Sequence, residues 1–549
     1  MTQHADQGGY YEDDDVKEEK HLQHDVEPKS QRVTTIITLV VLIVIALTAR
    51  LIYLFLVANP DNPGAGWFGD SYHHWQIGYL TKEIGLSQGF LRVWDLKGMD
   101  LFWGALHPLT LAFAFSITGN DSMALARAIT CIAGAISVGL IYLIGRKYWN
   151  NTVAIMGALF AALCSIIIFN DATGMVEPLG IPFLLAGVYF WPRKSLLSGL
   201  CFGIALTTRS EYWMYSIGLI FVYTIWDRMA HMDKKVLLWL GLFIILVPYM
   251  KYLLDYTGNP VYPFYQNFFK NIAGEWQYKK VLEPADLQGQ LTFRIILAIT
   301  TLATVITLWK RPRGWQFHLL GQGNWLFLGL TFGVSNYIKS WADYVWVVRF
   351  MLFPYTYLGV VIAIALFYTF RERLSGGLKS TYTVVAAATF ILFIGTTHLA
   401  WQEINKYYEP TNKTWSYVQE VATKMSTGYK GGKILLPEGN PDLTYALVTF
   451  HGVEGKDMLS QMYDPIGYAS QNGLNAVENW NNVDPFSKEG LTFKEEVRDY
   501  LKTNKVQYII TYGSFPRYNV LVETEPTWFS VAVPLSENFI ALHVNQDNL

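Results

Sequence analysis

"LFWGALHPLTLAFAFSITG", residues Leu101 to Gly119, decides how this chain is threaded. It is apolar and long enough to pass for a membrane span. Counting it as one would throw the basic loops "GRKYW" (Gly145–Trp149) and "KRPRGW" (Lys310–Trp315) onto the wrong side. Leaving it out gathers the cations on one face, as the positive-inside rule asks. The stretch is therefore placed as a helix lying at the outer surface, with Pro108 kinking it or opening its regular part.

Around that stretch, apolar runs recur along the chain. Of its 549 residues, 52% are hydrophobic and 16% charged, where a soluble protein carries about 25% charged residues. This is the composition of a polytopic membrane protein. Eleven spans are expected: Val33–Val57, Ser122–Gly145, Thr152–Phe169, Pro178–Trp191, Ser195–Thr207, Tyr212–Trp226, Val236–Met250, Leu291–Leu308, Leu319–Ile338, Tyr344–Phe370 and Thr381–Ala400. Several fall short of the ~20 residues that cross a bilayer alone, which packing inside a bundle tolerates.

With the N-terminus inside, the cytosolic loops hold Arg146 and Lys147, Arg193 and Lys194, and Arg228, Lys234 and Lys235. Lys310, Arg311 and Arg313 follow, then Arg371, Arg373 and Lys379. Residues 1–32 are polar and acidic, lack the basic start of a signal peptide, and are expected to form a disordered cytosolic tail. A first outer loop (58–121) and a large outer loop (251–290) then face outward. In the first, Tyr72, Trp75, Gln76 and Tyr79 share one helical face and read as an interfacial aromatic belt. From about residue 401 the chain turns polar. "GGKILLPEG", "KVQYIITYGSF" and "FIALHVNQ" read as strands, and "FKEEVRDYLKTN" as a helix, giving a small extracytoplasmic α/β domain over 401–549.

Cys131, Cys164 and Cys201 all fall in spans and read as small apolar core residues, with no metal spacing. No nucleotide loop of the GxGxxG or P-loop kind occurs, and nothing resembles a nucleic-acid-binding face.

The chemistry-bearing residues gather at the outer mouth. "GDSYHHW" follows the first span, "NDATGMVEPLG" joins the third to the fourth, "TTRSEYW" joins the fifth to the sixth, and "VVRFMLFPYTYLG" opens the tenth. Charges near a bilayer are costly and usually face a polar cavity. Carboxylates and arginines converging there suit a hydroxyl nucleophile and a phosphate leaving group. Each residue also has a plainer reading. Asp70 can cap the helix that follows it, and Arg209 and Glu211 can pair with each other. His73 and His74 are adjacent, point about 100° apart on a helix, and read as an interfacial polar pair. Asp171 reads as a solvated turn residue.

The ordered series of these stretches resembles the GT-C membrane glycosyltransferases, closest to the branch of protein O-mannosyltransferases and lipid A aminoarabinose transferases. That branch has an acid after the first span, a surface helix introduced by Lys-Pro or Pro-Pro, and a helix that starts near an Arg and ends in a short "GR" loop. "ALHPLTLAFAFSITGNDSMALARAITCIAGAISVGLIYLIGRKYW" is similar, Arg127 included, as are Glu177-Pro178, "DYTGNPVYPF" and "RFMLFP". The resemblance spans residues 33–400, the expected transmembrane catalytic domain. The chain departs in having Asp70-Ser71 for Asp-Glu and His107-Pro108 for Lys-Pro, and it lacks the "WWDYG" of oligosaccharyltransferases.

The resemblance implies a GT-C-like fold of about eleven transmembrane helices with outer surface helices. It implies an inverting transferase that moves a sugar, a hexose such as mannose or a pentose, from a polyprenyl-phosphate donor. The acceptor would be a protein, lipid or glycan on the outer face of a plasma membrane, or of an endoplasmic reticulum. By the same resemblance Asp70 and Glu177 are the expected catalytic acids, and His107, Arg209, Arg349, His73 and Glu211 the substrate-binding residues. No cofactor is required, and a divalent metal is compatible with the chemistry. The competing class is a transporter or flippase, which calls for mid-membrane polar sites in paired halves; the charges here cluster at one face instead.

Overall fold

A computed structural model describes residues 29–58, 69–85, 103–226, 231–265, 267, 284–334, 348–406, 416, 419–420, 422–425, 428–436, 441–460, 488–512, 525–534 and 539–549. Most of the expected cytosolic tail, residues 1–28, lies outside the described residues, as do Leu101, Phe102 and the 344–347 start of the tenth expected span.

The described part of every expected span corresponds to helix; residues 335–338, the end of the ninth, also lie outside the described residues. α1 (Lys29–Ile52) runs on through a π-turn at Tyr53–Ala58, and α2 (Gly69–Leu80) and α3 (Leu106–Thr118) follow. Then come α4 (Met123–Tyr148), α5 (Asn151–Leu163), α6 (Ser165–Asp171), α7 (Glu177–Phe190), α8 (Ser195–Leu206), α9 (Ser210–Trp226) and α10 (Met232–Thr257). After these lie α11 (Pro284–Lys310), α12 (Trp315–Gly333), α13 (Leu352–Ile364, extended by a π-turn to Phe370) and α14 (Gly376–Lys406).

By length and composition, six of the described helices can cross a membrane, or seven if the pair α5 and α6, bent by 61°, is one span. Helices α7 and α8, of 14 and 12 residues, fall below that threshold. At 1.5 Å per residue they rise only about 20 Å against a ~30 Å hydrocarbon core. They lie inside the bundle, where Leu184, Leu185 and Phe202 have no exposure, so their neighbours rather than lipid satisfy them.

Local sequence sets the ends. Ser122 caps α4 by accepting from Leu125 N, and Asn150 caps α5 by accepting from Val153 N. Pro108 sits in the first turn of α3, where a missing N–H costs nothing, so it starts the helix rather than kinking it. One end of the bundle is basic and aromatic. Lys147 donates to the carbonyls of Tyr189 and Trp191, Arg311 stacks 4.4 Å over Trp226, and Trp226 meets Trp315 edge-on at 4.8 Å.

The polar C-terminal region forms a five-stranded mixed sheet from β1 (Lys433–Leu436), β2 (Met458–Ser460), β3 (Val506–Tyr512), β4 (Phe529–Pro534) and β5 (Phe539–Val544), ordered β2-β1-β3-β5-β4. β1 pairs in parallel with β2 and β3, and β5 runs antiparallel to β3 and β4. Strand alternation gives the sheet two buried faces. Leu435, Ile509 and Leu542 pack with α16 (Lys488–Thr503). Ile434, Tyr508 and Ala541 share a core with α15 (Pro441–His451), α2 and α3.

That second core corrects one expectation. Tyr72, Trp75, Gln76 and Tyr79 are not an aromatic belt facing lipid headgroups; all are buried. Trp75 stacks on Tyr79 at 5.0 Å and meets Tyr445 of α15 edge-on at 4.7 Å. Gln76 donates to Thr444, and Tyr79 accepts from Gly455 N. Of the polar tips, Gln76 Nε2 and the Tyr79 hydroxyl meet the C-terminal region, while Trp75 Nε1 donates to Asp121 O.

Candidate active site

At the end of the bundle away from the basic loops, five charged side chains join in one chain of ion pairs. Arg349, in a helical turn ahead of α13, donates through Nη1 to Asp70 Oδ2 at 2.6 Å and through Nε to Glu177 Oε1 at 2.7 Å. Arg209 donates through Nη1 to the same Glu177 Oε1 at 2.8 Å and through Nε to Glu211 Oε1 at 2.6 Å. Glu177, Arg209, Glu211 and Arg349 are buried; Asp70 is the part-exposed member, with its side chain 20% accessible. Both guanidiniums flank the Phe350 ring, at 5.1 and 5.5 Å. Three carboxylates face two guanidiniums, a formal excess of one negative charge. Asp70 lies in the first turn of α2, and Arg209 and Glu211 do pair across their i, i+2 spacing.

Backbone contacts hold this chain in place. Ser71 donates to Thr173 O, Asn170 donates to Val348 O beside Arg349, and Tyr212 donates to Glu177 O. Asn267, from the large loop after α10, donates to Ser210. A small cleft opens on the network, lined on one side by Glu177, Glu211 and Arg349 and on the other by Phe327, Leu328 and Phe353. Its polar wall can take an anion and its apolar wall a hydrocarbon chain.

Histidines border the network. His107, the second residue of α3, and His74 of α2 are fully buried, their rings edge-to-face at 5.2 Å. His73 is half-buried, with its ring 5.7 Å from Trp103. Burial pulls His107 down to about 4 against the attraction of Glu177. Burial, then His107 and the Arg349 and Arg209 guanidiniums, hold His74 well below the ordinary imidazole value. Both rings are neutral at pH 7. Among the described residues no group of three or more His, Cys, Asp or Glu converges as a metal site.

The sequence reading missed two things. Asp171 is not a solvated turn residue: it is 1% exposed, and Arg50 of α1 binds its Oδ2 at 2.6 Å. Arg50 also donates to the carbonyls of Ala46, Ala161 and Ala162. A lone Arg within the first apolar run is the signal that such a partner exists. His74, rather than His73, is the histidine that packs against His107.

Residues 104–254, from the approach to α3 through most of α10, match the family described as dolichyl-phosphate-mannose-protein mannosyltransferase. The structure is similar to that of ArnT from Cupriavidus metallidurans bound to undecaprenyl phosphate, with a TM-score of 0.52 and 12% identity over 93% of this chain and 98% of that one. The chain has a GT-C-like fold. The chain is also similar to the archaeal oligosaccharyltransferase AglB from Archaeoglobus fulgidus, solved with an inhibitory peptide and a dolichol-phosphate. There the TM-score is 0.50 and the identity 9%, over 88% of this chain and 70% of that one. No curated protein sequence matches it. At these identities the likeness is one of fold.

Proposed function

We propose that this GT-C chain transfers a hexose or pentose from a polyprenyl-phosphate donor to a hydroxyl acceptor on the extracytoplasmic face. The observation that carries the reading is the ion-pair chain Asp70–Arg349–Glu177–Arg209–Glu211 beside a cleft with one polar and one apolar wall. A phosphate on a hydrocarbon tail matches both walls at once. The side assignment rests on the basic loops, which lie at the opposite end.

The charge excess suggests how the groups act. A donor phosphodiester can enter this already negative cluster only by taking a guanidinium from a carboxylate. Asp70 is the exposed member and holds Arg349 through one oxygen, so it is the group displaced. Freed, Asp70 takes the proton of the acceptor hydroxyl as its oxygen attacks the anomeric carbon. The bond from that carbon to the phosphate oxygen breaks, and the charge left on the polyprenyl phosphate rests on Arg349 and Arg209. Glu177 stays in place and orients both guanidiniums. The reading routes no step through a metal or cofactor. The acceptor class, protein, lipid or glycan, follows from the fold likeness alone.

Purified Asp70→Asn protein, given a lipid-phosphate sugar and mixed acceptors, is expected to lose transfer by ~100-fold or more, the usual worth of a general base. Undiminished transfer overturns the assignment.

A further inference from the structure

The His74–His107 pair is anomalous as a piece of core. Both side chains are wholly buried, and none of their four ring nitrogens has a hydrogen-bond partner. Buried polar groups are almost always paired, because each orphan loses its hydration without replacement. Glu177 Oε2, in the ion-pair chain whose charge acts on His107, is orphaned in the same way. Three side chains bordering one site, each holding unused hydrogen-bonding capacity, point to a ligand that supplies the partners.

The chemistry of the orphans selects the ligand. A neutral imidazole has one donor and one acceptor, so the pair offers two of each, and Glu177 Oε2 adds an acceptor. An anion is all acceptor: it could take the two ring N–H groups but would leave both bare ring nitrogens and Glu177 Oε2 without a donor. A sugar ring carries hydroxyls that donate and accept alike, and its C–H face suits an aromatic wall. Trp103 supplies that wall, its ring 4.5 Å from His74 and 5.7 Å from His73. The wall is fixed from below. Gly104 adopts φ +97°, where a Cβ would meet Thr207 O at 2.4 Å, and Leu106 N donates to that same carbonyl. Only glycine lets the chain turn so close to the strand of backbone that leads into Arg209.

We propose that Trp103, His74, His107 and Glu177 Oε2 form the subsite for the sugar ring of the donor, distinct from the guanidiniums that take its phosphate. This rests on the lipid-phosphate reading above and extends it. A sugar joined directly to a phosphate held on Arg349 has its hydroxyls beside that residue's neighbours.

The test uses purified full-length protein, with undecaprenyl phosphate and its mannose, glucose, galactose and arabinose conjugates as probes. Wild type is expected to bind at least one conjugate ~10-fold or more tighter than the bare lipid phosphate, a gain of about 1.4 kcal/mol. His74→Phe and His107→Phe are expected to abolish that preference while keeping the affinity for undecaprenyl phosphate within about twofold. Their unfolding midpoints without ligand should hold or rise, because removing an orphaned polar group relieves a cost. Equal weakening of bare and glycosylated lipid would put the imidazoles on the phosphate and overturn the proposal. Unchanged preference in the variants, or no preference in wild type, overturns it as well. Failure of wild type to bind undecaprenyl phosphate at all defeats the underlying lipid-phosphate reading, and the subsite with it.

Discussion

Arg50 and Asp171 form the most enclosed ion pair in the molecule's described part, with side chains 0% and 2% accessible. The guanidinium is saturated: its remaining N–H groups meet three carbonyls, so the pair has nothing left for a substrate. Its work is to pin the break between α6 and α7, where Asn170, Thr173 and Glu177 hold the site. Gly134 makes room for it, since a Cβ there would meet Asp171 Oδ2 at 2.1 Å. Removing one partner of a buried pair strands the other and costs about 3–5 kcal/mol. Arg50→Met is therefore expected to unfold in detergent well below wild type, with Arg50→Met/Asp171→Asn recovering most of the loss. A single variant as stable as wild type would show that the pair is idle. This is also where residue-level reading stops. Glu177 and Arg349 announce themselves as charges at the ends of apolar runs. Asp171, in "NDATG", looks like any turn acid, because its burial depends on an arginine 121 residues away.

Helix α2 carries Asp70 at its start, and its register is set from outside the bundle. Tyr445 of α15 accepts from Met123 N, the first residue of α4, while its ring packs on Tyr72 and Trp75. One tyrosine thus ties the C-terminal region to both the roof helix and a bundle helix. Tyr445→Phe gives up the hydroxyl's hydrogen bonds with Met123 N and Thr449, each worth about 0.5–1.5 kcal/mol. Tyr445→Ala leaves a cavity as well, at about 3–5 kcal/mol for a large aromatic. In hydrogen exchange, the amides of residues 69–80 should exchange at least ~10-fold faster in Tyr445→Ala, since 1.4 kcal/mol is a factor of ten. Tyr445→Phe should lie between that variant and wild type. Equal protection in all three would mean that α2 is held by the bundle alone. The period of Tyr72, Trp75, Gln76 and Tyr79 made the buried face of α2 legible, but periodicity names a face and not what covers it. The cover, α15, sits in "PDLTYALVTFH", a segment with no strong helix signal beside the clearer strands.

Across the whole molecule, the eleven helical segments were readable because apolar runs between basic loops survive any packing. Their lengths were not a guide to which ones meet lipid. Helices α1, α11 and α14 expose long apolar faces, with Val40, Leu302 and Leu392 among them, whereas α7 and α8 are wrapped by their neighbours. The arrangement sets two ends apart: Arg371, Arg373 and Lys379 follow α13 at one, and Asp70, Glu177 and the sheet lie at the other. The positive-inside rule predicts that the cation-rich end faces the cytosol. The three native cysteines are buried and free, so an added thiol can report position by itself. Ser375, between α13 and α14, and Lys456, beside β2, are both exposed. A membrane-impermeant maleimide applied to intact cells should label Lys456→Cys and leave Ser375→Cys untouched until the membrane is permeabilised. Labelling of both from outside would mean that α14, the long apolar helix between them, does not cross. The reverse pattern, the one that a crossing at Leu101–Gly119 would give, would overturn the outward placement of the ion-pair chain.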